Sequence, residues 1–232
     1  DDNTLTVTRG TSGTTAVTHA DNTLVRLALG NADPLDDFVG WGQIAVVTVT
    51  NELRVWTHDN FGEDLLINPR NGAIYYWDKS SGLTARAIEI STIDDTVTNA
   101  PSLVTQIMVS DSDRHVIAFG CDGIGSGGVQ DPLLIRFSNQ ESLTNWTPTA
   151  TNTAGDLRLG GGSTFIQAVE TKQAILVFTD KTLHAMKFIG PPFTFGLQEL
   201  SKNITIMSSR SAKAVDDAVF WMGLDSFYIY AG

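Results

Sequence analysis

The chain has 232 residues, of which 42% are hydrophobic and 18% are charged. This composition excludes an intrinsically disordered polymer and indicates a folded globular protein. The 26 acidic and 15 basic residues give a net charge of −11, and the basic residues are scattered singly. Sequence-independent binding of nucleic acid needs clustered lysine and arginine, so that function is disfavoured. No apolar run approaches the ~18 residues of a membrane span, and none is expected.

Residues 1–43 predict a small β module or insertion. They contain short alternating stretches, "TLTVTRG" and "TAVTHADNTLVRLALG", followed by an irregular acidic connection, "NADPLDDFVGWGQ". The next segment, residues 44–57, predicts two strands that turn at Asn51-Glu52, because alternating β-branched residues favour strands.

The rest of the chain repeats a hairpin pattern of strand, turn and strand. It is clearest in "AILVFTDKTLHAMKF" (174–188) and "AVFWMGLDSFYIY" (218–230), and looser in "LLINPRNGAIYYW" (65–77). A fourth hairpin joins "HVIAFG" from residue 115 to "LLIRFS" from residue 133. Further strand candidates flank the hairpins, upstream at 104–110, 164–170 and 211–217, and downstream at 85–91, 156–161 and 195–201.

The repeated unit predicts an all-β fold. Residues 44–232 are expected to form β-propeller-like, four-stranded antiparallel blades, because their period and strand count are typical of propeller blades. Alignment of the hairpins places Phe119, Phe178 and Trp221 at like positions, and we expect Phe178 and Trp221 to be buried. The pattern contains one partial blade, two complete blades over residues 100–201, and a last blade that lacks its outer strand.

Two further expectations follow from this pattern. The two complete blades should bury a core that includes Ile107, Val116, Ile117, Leu134, Ile135, Ile175, Val177 and Leu183. The edge of the last strand, Phe227 to Tyr230, should lack an intrachain partner or pair with the N-terminal strands, because natural proteins seldom leave an apolar edge strand open.

No residue is assigned a catalytic, cofactor-binding or metal-binding role. The single cysteine, Cys121, follows an apolar strand and is interpreted as a buried thiol, with His115 the only base nearby. The "GIGSGG" segment at 123–128 matches a dinucleotide-binding pattern but precedes a strand instead of a helix, so we interpret it as a loop. The four histidines have no metal-ligand spacing, and Asp111 with Asp113 is interpreted as turn chemistry.

A carboxylate group at the first hairpin was also considered as a glycosidase site. Asp59, Glu63 and Asp64 lie near Phe61, but glycosidases need a set separation between two carboxylates across a cleft. Neighbouring residues of a strand point to opposite faces. This segment is therefore interpreted as a strand-entry loop with solvated acids, and we predict that the chain is not an enzyme and needs no cofactor.

Several longer strings resemble a family of tailed-bacteriophage structural proteins. They are "DNFGEDLLINPRNGAIYYWD" (59–78), "LLIRFSNQESLTNWTPTATNTAGDLRLGGG" (133–162), "FTDKTLHAMKFIGPPFTFG" (178–196) and "VFWMGLDSFYIYAG" (219–232). The resemblance covers residues 52–232 and is to the tail-nozzle, or packaged-DNA stabilisation, proteins of short-tailed (podovirus-like) phages. It implies a propeller-containing subunit of a homohexameric ring in the virion tail. This ring would contact the head-to-tail adaptor and other tail proteins, retain the packaged genome and conduct double-stranded DNA during ejection without binding it specifically.

Two alternatives stay open at this point. A propeller-type carbohydrate-binding protein for host recognition would use Trp56, Trp77, Trp146 or Trp221 as stacking platforms, although Trp77 and Trp221 lie inside apolar strands. A propeller hydrolase would place its reaction at the central channel, with Asp59 and Glu63 as the residues to test.

Overall fold

A computed structural model describes residues 55–111 and 113–232, and these residues form an all-β structure of four antiparallel sheets. Helix in this part of the chain is limited to the single-turn 3-10 segments Lys79–Ser81 and Ile90–Thr92. No helix among the described residues is long and apolar enough to cross a membrane. The module predicted at 1–43 lies outside the described residues, and so do residues 44–54 of the two strands predicted over 44–57. Trp56 and Thr57, at the end of that prediction, do lie in a strand.

The first sheet is complete, which corrects the prediction of a partial blade. Its strands follow one another in the order β1 (Trp56–Phe61), β2 (Asp64–Pro69), β3 (Tyr75–Trp77) and β4 (Ile88–Glu89). The prediction of a strand-entry loop before β2 was wrong, because β1 occupies that segment and pairs with β2 along its whole length. Its sequence, "WTHDNF", is too polar to be recognised as a strand, and the tight turn to β2 uses Gly62 with a positive φ of 71°.

The second and third sheets confirm the prediction of two consecutive four-stranded antiparallel sheets within residues 100–201. The second contains β5 (Val104–Val109), β6 (Val116–Cys121), β7 (Leu134–Phe137) and β8 (Gly155–Arg158). The third contains β9 (Phe165–Glu170), β10 (Ile175–Thr179), β11 (Leu183–Gly190) and β12 (Thr194–Ser201). Strands β6 and β10 are buried at every residue, as expected for strands that are covered on both faces of their sheet.

The predicted core is confirmed with one adjustment. Seven of the eight residues are buried, namely Ile107, Val116, Ile117, Ile135, Ile175, Val177 and Leu183. Leu134 is half-buried and packs at the margin of a core cluster, whereas its neighbour Leu133 is buried with 7% of its surface exposed. Consecutive residues of an extended chain point to opposite faces, so the two leucines pack on different sides of the second sheet.

The fourth sheet has three strands, as the sequence predicts. They are β13 (Ala212–Val215), β14 (Ala218–Met222) and β15 (Phe227–Ala231), in that spatial order. Within the described residues, β15 is hydrogen-bonded only to β14. The outer edge of β15 is therefore without a partner strand in that part of the chain.

Three apolar clusters lie between successive sheets and account for the packing. One joins the first and second sheets through Leu66, Ile74 and Val116, among others. A second joins the second and third sheets and includes the stacked rings of Phe119 and Phe165, whose centroids lie 5.1 Å apart. The third cluster joins the third and fourth sheets.

Phe178 and Trp221 are both buried, with 0% and 4% of their surface exposed, which confirms that prediction. The prediction that Trp221 occupies the same position in the repeat as Phe119 and Phe178 is wrong. Phe119 and Phe178 each face the following sheet, whereas Trp221 faces back toward the third sheet and packs edge-on against Phe178 at 5.2 Å. The residue of β14 that corresponds to Phe178 is Phe220, because a shift of one residue along a strand exchanges the two faces.

Candidate functional site

The first strands of the sheets carry polar side chains that bond to the backbone of the next sheet. From β1, Thr57 Oγ1 accepts a hydrogen bond from the Ile107 amide at 3.2 Å, and Asp59 Oδ2 accepts one from the Val109 amide at 2.8 Å. Both amides belong to β5. Two amides on the edge of β5 are thus satisfied by side chains of β1, while Val104 at its start bonds to the backbone of Asn71 and Gly72.

Two glutamines make the same kind of bridge between the later sheets. Gln106 of β5 donates from Nε2 to the carbonyl of Ala168 at 2.9 Å and accepts from the Ala168 amide at 3.0 Å. Gln167 of β9 makes the matching pair of bonds with Ala212 of β13, at 2.9 and 3.0 Å. A buried amide side chain is stable when its donor and acceptor are both satisfied, and here each amide also ties two sheets together.

A further contact leads from the fourth sheet back to the first. Arg210, two residues before β13, donates from Nη2 to the carbonyl of Trp56 in β1 at 2.5 Å. The first strands of the four sheets therefore form a series, β1 to β5 to β9 to β13, and the side chain of Arg210, just before the last member, contacts the first.

Each first strand is followed by, or ends with, one or two carboxylates. Those at or beyond these ends, in chain order, are Glu63, Asp111, Asp113, Glu170, Asp216 and Asp217. Glu170, the last residue of β9, accepts a hydrogen bond from the Asp111 amide at 3.0 Å and so connects the third sheet to the second. Burial and, to a smaller extent, the nearby charges of Asp111, Asp59 and Asp113 raise the pKa of the Glu170 carboxyl to about 7, although the hydrogen bond from the Asp111 amide opposes them.

Glu170 lies at a cavity of about 310 Å³ near the ends of β9 and β11. Lys172 and Lys187 line the same cavity together with the apolar rings of Phe188 and Phe195. A carboxyl group whose pKa is near 7 exchanges its proton around neutral pH. The Glu170 carboxylate bonds directly to a backbone amide, so this side chain connects two sheets.

His115 lies behind the aromatic wall of this cavity. Its ring is buried and contacts Phe188 and Phe195, with centroid distances of 5.9 and 5.2 Å. Nε2 lies 3.0 Å from the Thr153 hydroxyl. Burial lowers the pKa of this imidazole, although the charge of Asp113 and a backbone hydrogen bond with Asp113 oppose the effect, so burial favours the neutral form of His115.

The structure confirms the interpretation of Cys121 as a buried thiol. Its exposed fraction is 0%, and burial raises the pKa of the thiol to about 12. His115 immediately precedes the strand that Cys121 ends. The two side chains therefore lie at opposite ends of β6 and cannot act as a nucleophile and its base.

The carboxylates of the first hairpin each have a structural partner. Asp59 bridges to β5, Glu63 forms an ion pair with Lys79, and Asp64 accepts a hydrogen bond from the Tyr76 hydroxyl at 2.7 Å. Burial and then the bond to Asp64 raise the pKa of Tyr76 to about 12. The interpretation of all three as solvated acids was wrong for Asp59 and Asp64, which are half-buried.

Three further features from the sequence analysis are the "GIGSGG" segment, the Asp111 and Asp113 pair, and the tryptophans. The "GIGSGG" segment is an exposed turn region between β6 and β7. Asp111 and Asp113 belong to no group of three metal-binding side chains in the described residues. Trp146 and Trp221 are buried with 1% and 4% exposed, whereas Trp56 is 43% exposed.

Sequence reasoning missed Gln106, Gln167 and Glu170. A signal was present for the two glutamines, because each is the third residue of a mainly apolar first strand, "VTQIMV" and "FIQAVE". A polar side chain at the same place in two repeats of a buried strand needs a hydrogen-bond partner. For Glu170, the pattern gives no indication that the strand end is covered.

No protein-family model and no curated protein matches this chain.

Proposed function

We propose that the four sheets are blades of a β-propeller-like subunit. Three features support this arrangement: the sheets share one strand order, each first strand is bonded to the next, and Arg210 returns to Trp56. Propellers arrange four-stranded meanders around an axis with their first strands innermost. In this arrangement the glutamine bridges fill the centre of the subunit, so DNA would pass through an assembly of subunits and not through one subunit.

The proposed role is structural, as part of the tail nozzle of a short-tailed bacteriophage. The strings that resemble this family fall on the repeated sheets: residues 133–162 contain β7 and β8, and residues 219–232 contain most of β14 and all of β15. The main support for the proposal is the set of hydrogen bonds that polar side chains of the first strands make. Asp59, Gln106 and Gln167 all bond to backbone groups of the next sheet, which builds a rigid body.

The charge distribution suits a conduit for DNA. Contacts between cationic side chains and phosphates retain DNA, and a channel that releases a genome needs few of them. The net charge of −11 and the carboxylates at the ends of the first strands would repel a duplex that passes close to the protein. The subunit would thus retain and conduct double-stranded DNA by geometry, without specific binding.

The partners in this proposal are further copies of the chain and neighbouring tail proteins. A homohexameric ring below the head-to-tail adaptor would place the subunit in the virion, where it has no catalytic task. Ejection of DNA would then use the ring as an extension of the channel.

Three observations test this role. The genes adjacent to the parent reading frame should encode portal, terminase and adaptor proteins, and electron microscopy of the purified chain should show six-fold rings. A gel-shift assay with a duplex of about 30 base pairs at about 100 mM salt should show no retardation. Neighbouring genes for polysaccharide breakdown, or tight DNA binding, would contradict the proposal.

A carbohydrate-binding function is the second candidate, and the first sheet favours it. Strand pairing places Trp56, Tyr75 and Trp77 on one face of that sheet, and Trp56 is 43% exposed. Exposed aromatic rings are suitable platforms for sugar rings, because their faces are apolar and their edges are polar. A glycan array would test it: binding that Trp56→Ala abolishes and Phe193→Ala retains would favour this function, since Phe193 is also exposed, at 73%.

A further inference from the structure

The outer face of the fourth sheet is apolar, and no other sheet among the described residues covers it. Alternate residues of β14 pack against the third sheet, and the residues between them, Phe220 and Met222, point the other way. Strand pairing sets Phe220 beside Ile229 and Met222 beside Phe227, so these four side chains share one face. Their exposed fractions are 48%, 36%, 59% and 84% in the order Phe220, Met222, Ile229 and Phe227.

We define this apolar face by Val215, Phe220, Met222, Phe227 and Ile229. It is larger than a single scattered hydrophobic residue would explain. Val215 of β13 adds an exposed fraction of 56%. Together the side chains expose roughly 500–600 Å², since large apolar side chains offer about 150–250 Å² each. The largest patch on a typical monomer is about 300–600 Å², and one side of a standard protein interface buries about 800 Å². The face is thus at the upper limit for a monomer and approaches the size of an interface.

The register of the sheets shows how this face differs from those of the second and third sheets. Gln106 is paired with Phe119, Gln167 with Phe178, and Lys213 with Phe220. Lys213 therefore occupies the position from which the two glutamines bridge to the next sheet.

A lysine cannot make that bridge. Gln106 and Gln167 each accept a hydrogen bond from a backbone amide of the next first strand, as Thr57 and Asp59 do in the first sheet. The ammonium group of lysine has three donors and no acceptor. The fourth sheet is consequently not equipped to hold another sheet of the series in the same way.

We propose that this apolar face is covered by a second copy of the chain, with the same face of each copy packed sheet against sheet. An isologous contact closes on itself with one self-complementary surface, and aligned sheets pack face to face through alternating apolar side chains. Lys213 is exposed at the margin of the face, where its ammonium group stays in water while its aliphatic part covers apolar surface.

The proposal does not rest on the tail function. A ring of six copies needs a head-to-tail interface, because one isologous contact produces only pairs. The two assemblies are therefore distinguishable by mass and by their response to substitutions on this face.

Sedimentation velocity of the purified chain tests the proposal. Concentrations from about 1 to 100 µM cover the affinities expected of an interface of this area, and the wild type should form a dimer in this range. Phe227→Glu and Ile229→Glu should each weaken the dimer at least about tenfold, because a charge would be buried between two apolar faces. Leu83→Glu and Val129→Glu are matched controls, since Leu83 and Val129 are 94% and 70% exposed outside the face, and they should leave the dimer unchanged.

Circular dichroism would verify that each variant is folded, and Phe227→Ser with Ile229→Ser replaces any variant that is not. A wild type that stays monomeric throughout the range would overturn the proposal. So would a dimer that persists in the variants of the face. A hexamer whose size is unchanged by those variants would also overturn it, while leaving the ring proposal in place.

Discussion

Replacement of Glu170 by glutamine should stabilise the protein at alkaline pH and have little effect in mild acid. The pKa of this carboxyl is raised from 4.5 to about 7 by burial at the cavity and by the nearby carboxylates. Between these values the unfolded chain releases its proton while the folded chain keeps it, so stability is complete below about pH 4.5 and is lost as the pH rises through 7. Glutamine keeps an oxygen that accepts the bond from Asp111, but it never ionises.

The magnitude follows from the size of the shift. One pKa unit corresponds to about 1.4 kcal/mol, so a fully shielded group would lose about 3 kcal/mol, which water at the open cavity reduces to about 1–2 kcal/mol. Urea unfolding followed by tryptophan fluorescence should therefore show Glu170→Gln more stable than the wild type by about 1–2 kcal/mol at pH 8.5. At pH 5 the difference should be only a few tenths of a kcal/mol, because the folded carboxyl is protonated and the unfolded one has begun to ionise.

Glu141→Gln is the matched control, because Glu141 is exposed and lies 4.0 Å from Arg114 in a solvent-exposed ion pair. It should change the free energy of unfolding by less than about 0.5 kcal/mol, since substitutions in solvent-exposed ion pairs have small effects. An equal difference between Glu170→Gln and the wild type at both pH values would refute the reasoning. A variant less stable than the wild type at pH 8.5 would refute it as well, since the ionised carboxylate would then be the favourable form.

Three further predictions concern the core and the bridges. Trp221→Ala should lower the free energy of unfolding by about 3–5 kcal/mol, measured by urea unfolding. Trp56→Ala should lower it by less than about 1 kcal/mol, because Trp56 is partly exposed. Equal losses in the two variants would contradict the burial of Trp221 between the sheets. Gln167→Ala should cost about 1–3 kcal/mol, because the amide and carbonyl of Ala212 lose their partners, and an unchanged melting temperature would exclude this bridge. Cys121 should resist a thiol reagent at pH 8 in the folded protein and react in urea, because burial raises the pKa of its thiol to about 12, whereas rapid labelling of the native chain would show that the strand opens.

Much of the fold could be predicted from residue patterns. The paired apolar runs with turn residues between them identified β10 with β11 and β14 with β15, and the flanking strands of the same sheets followed from the repeat. For β10 the assignment succeeds because a strand that is buried on both faces needs a continuous apolar run. Strands β14 and β15 are also apolar runs, although one face of their sheet is exposed. Strand β1 could not be found in this way, since the residues of "WTHDNF" are exposed or half-buried and carry little hydrophobic signal.

The direction in which each side chain points was harder to predict. The sequence predicts that Phe178 and Trp221 are buried, but not that they face each other across two sheets. An alignment by aromatic residues tolerates a shift of one position, and such a shift reverses the face. The strand pairings decide between the two registers, and they identify Phe220 as the counterpart of Phe178.

The sequence by itself determined the fold class of this protein. Its apolar and alternating runs have the length of strands and are separated by turn residues, so they disfavour helix and specify a repeated antiparallel meander. The tertiary structure alone decided which polar groups are used between the sheets. Gln106 and Gln167 are ordinary polar residues in the sequence, and they become bridges only because the next first strand presents an unpaired amide and carbonyl within hydrogen-bond distance. The raised pKa of Glu170 has the same origin, since its burial and its neighbouring carboxylates come from separate sheets. Local patterns specify strands because they act over a few residues, whereas these contacts join residues 45 to 62 positions apart and exist only after the sheets have packed.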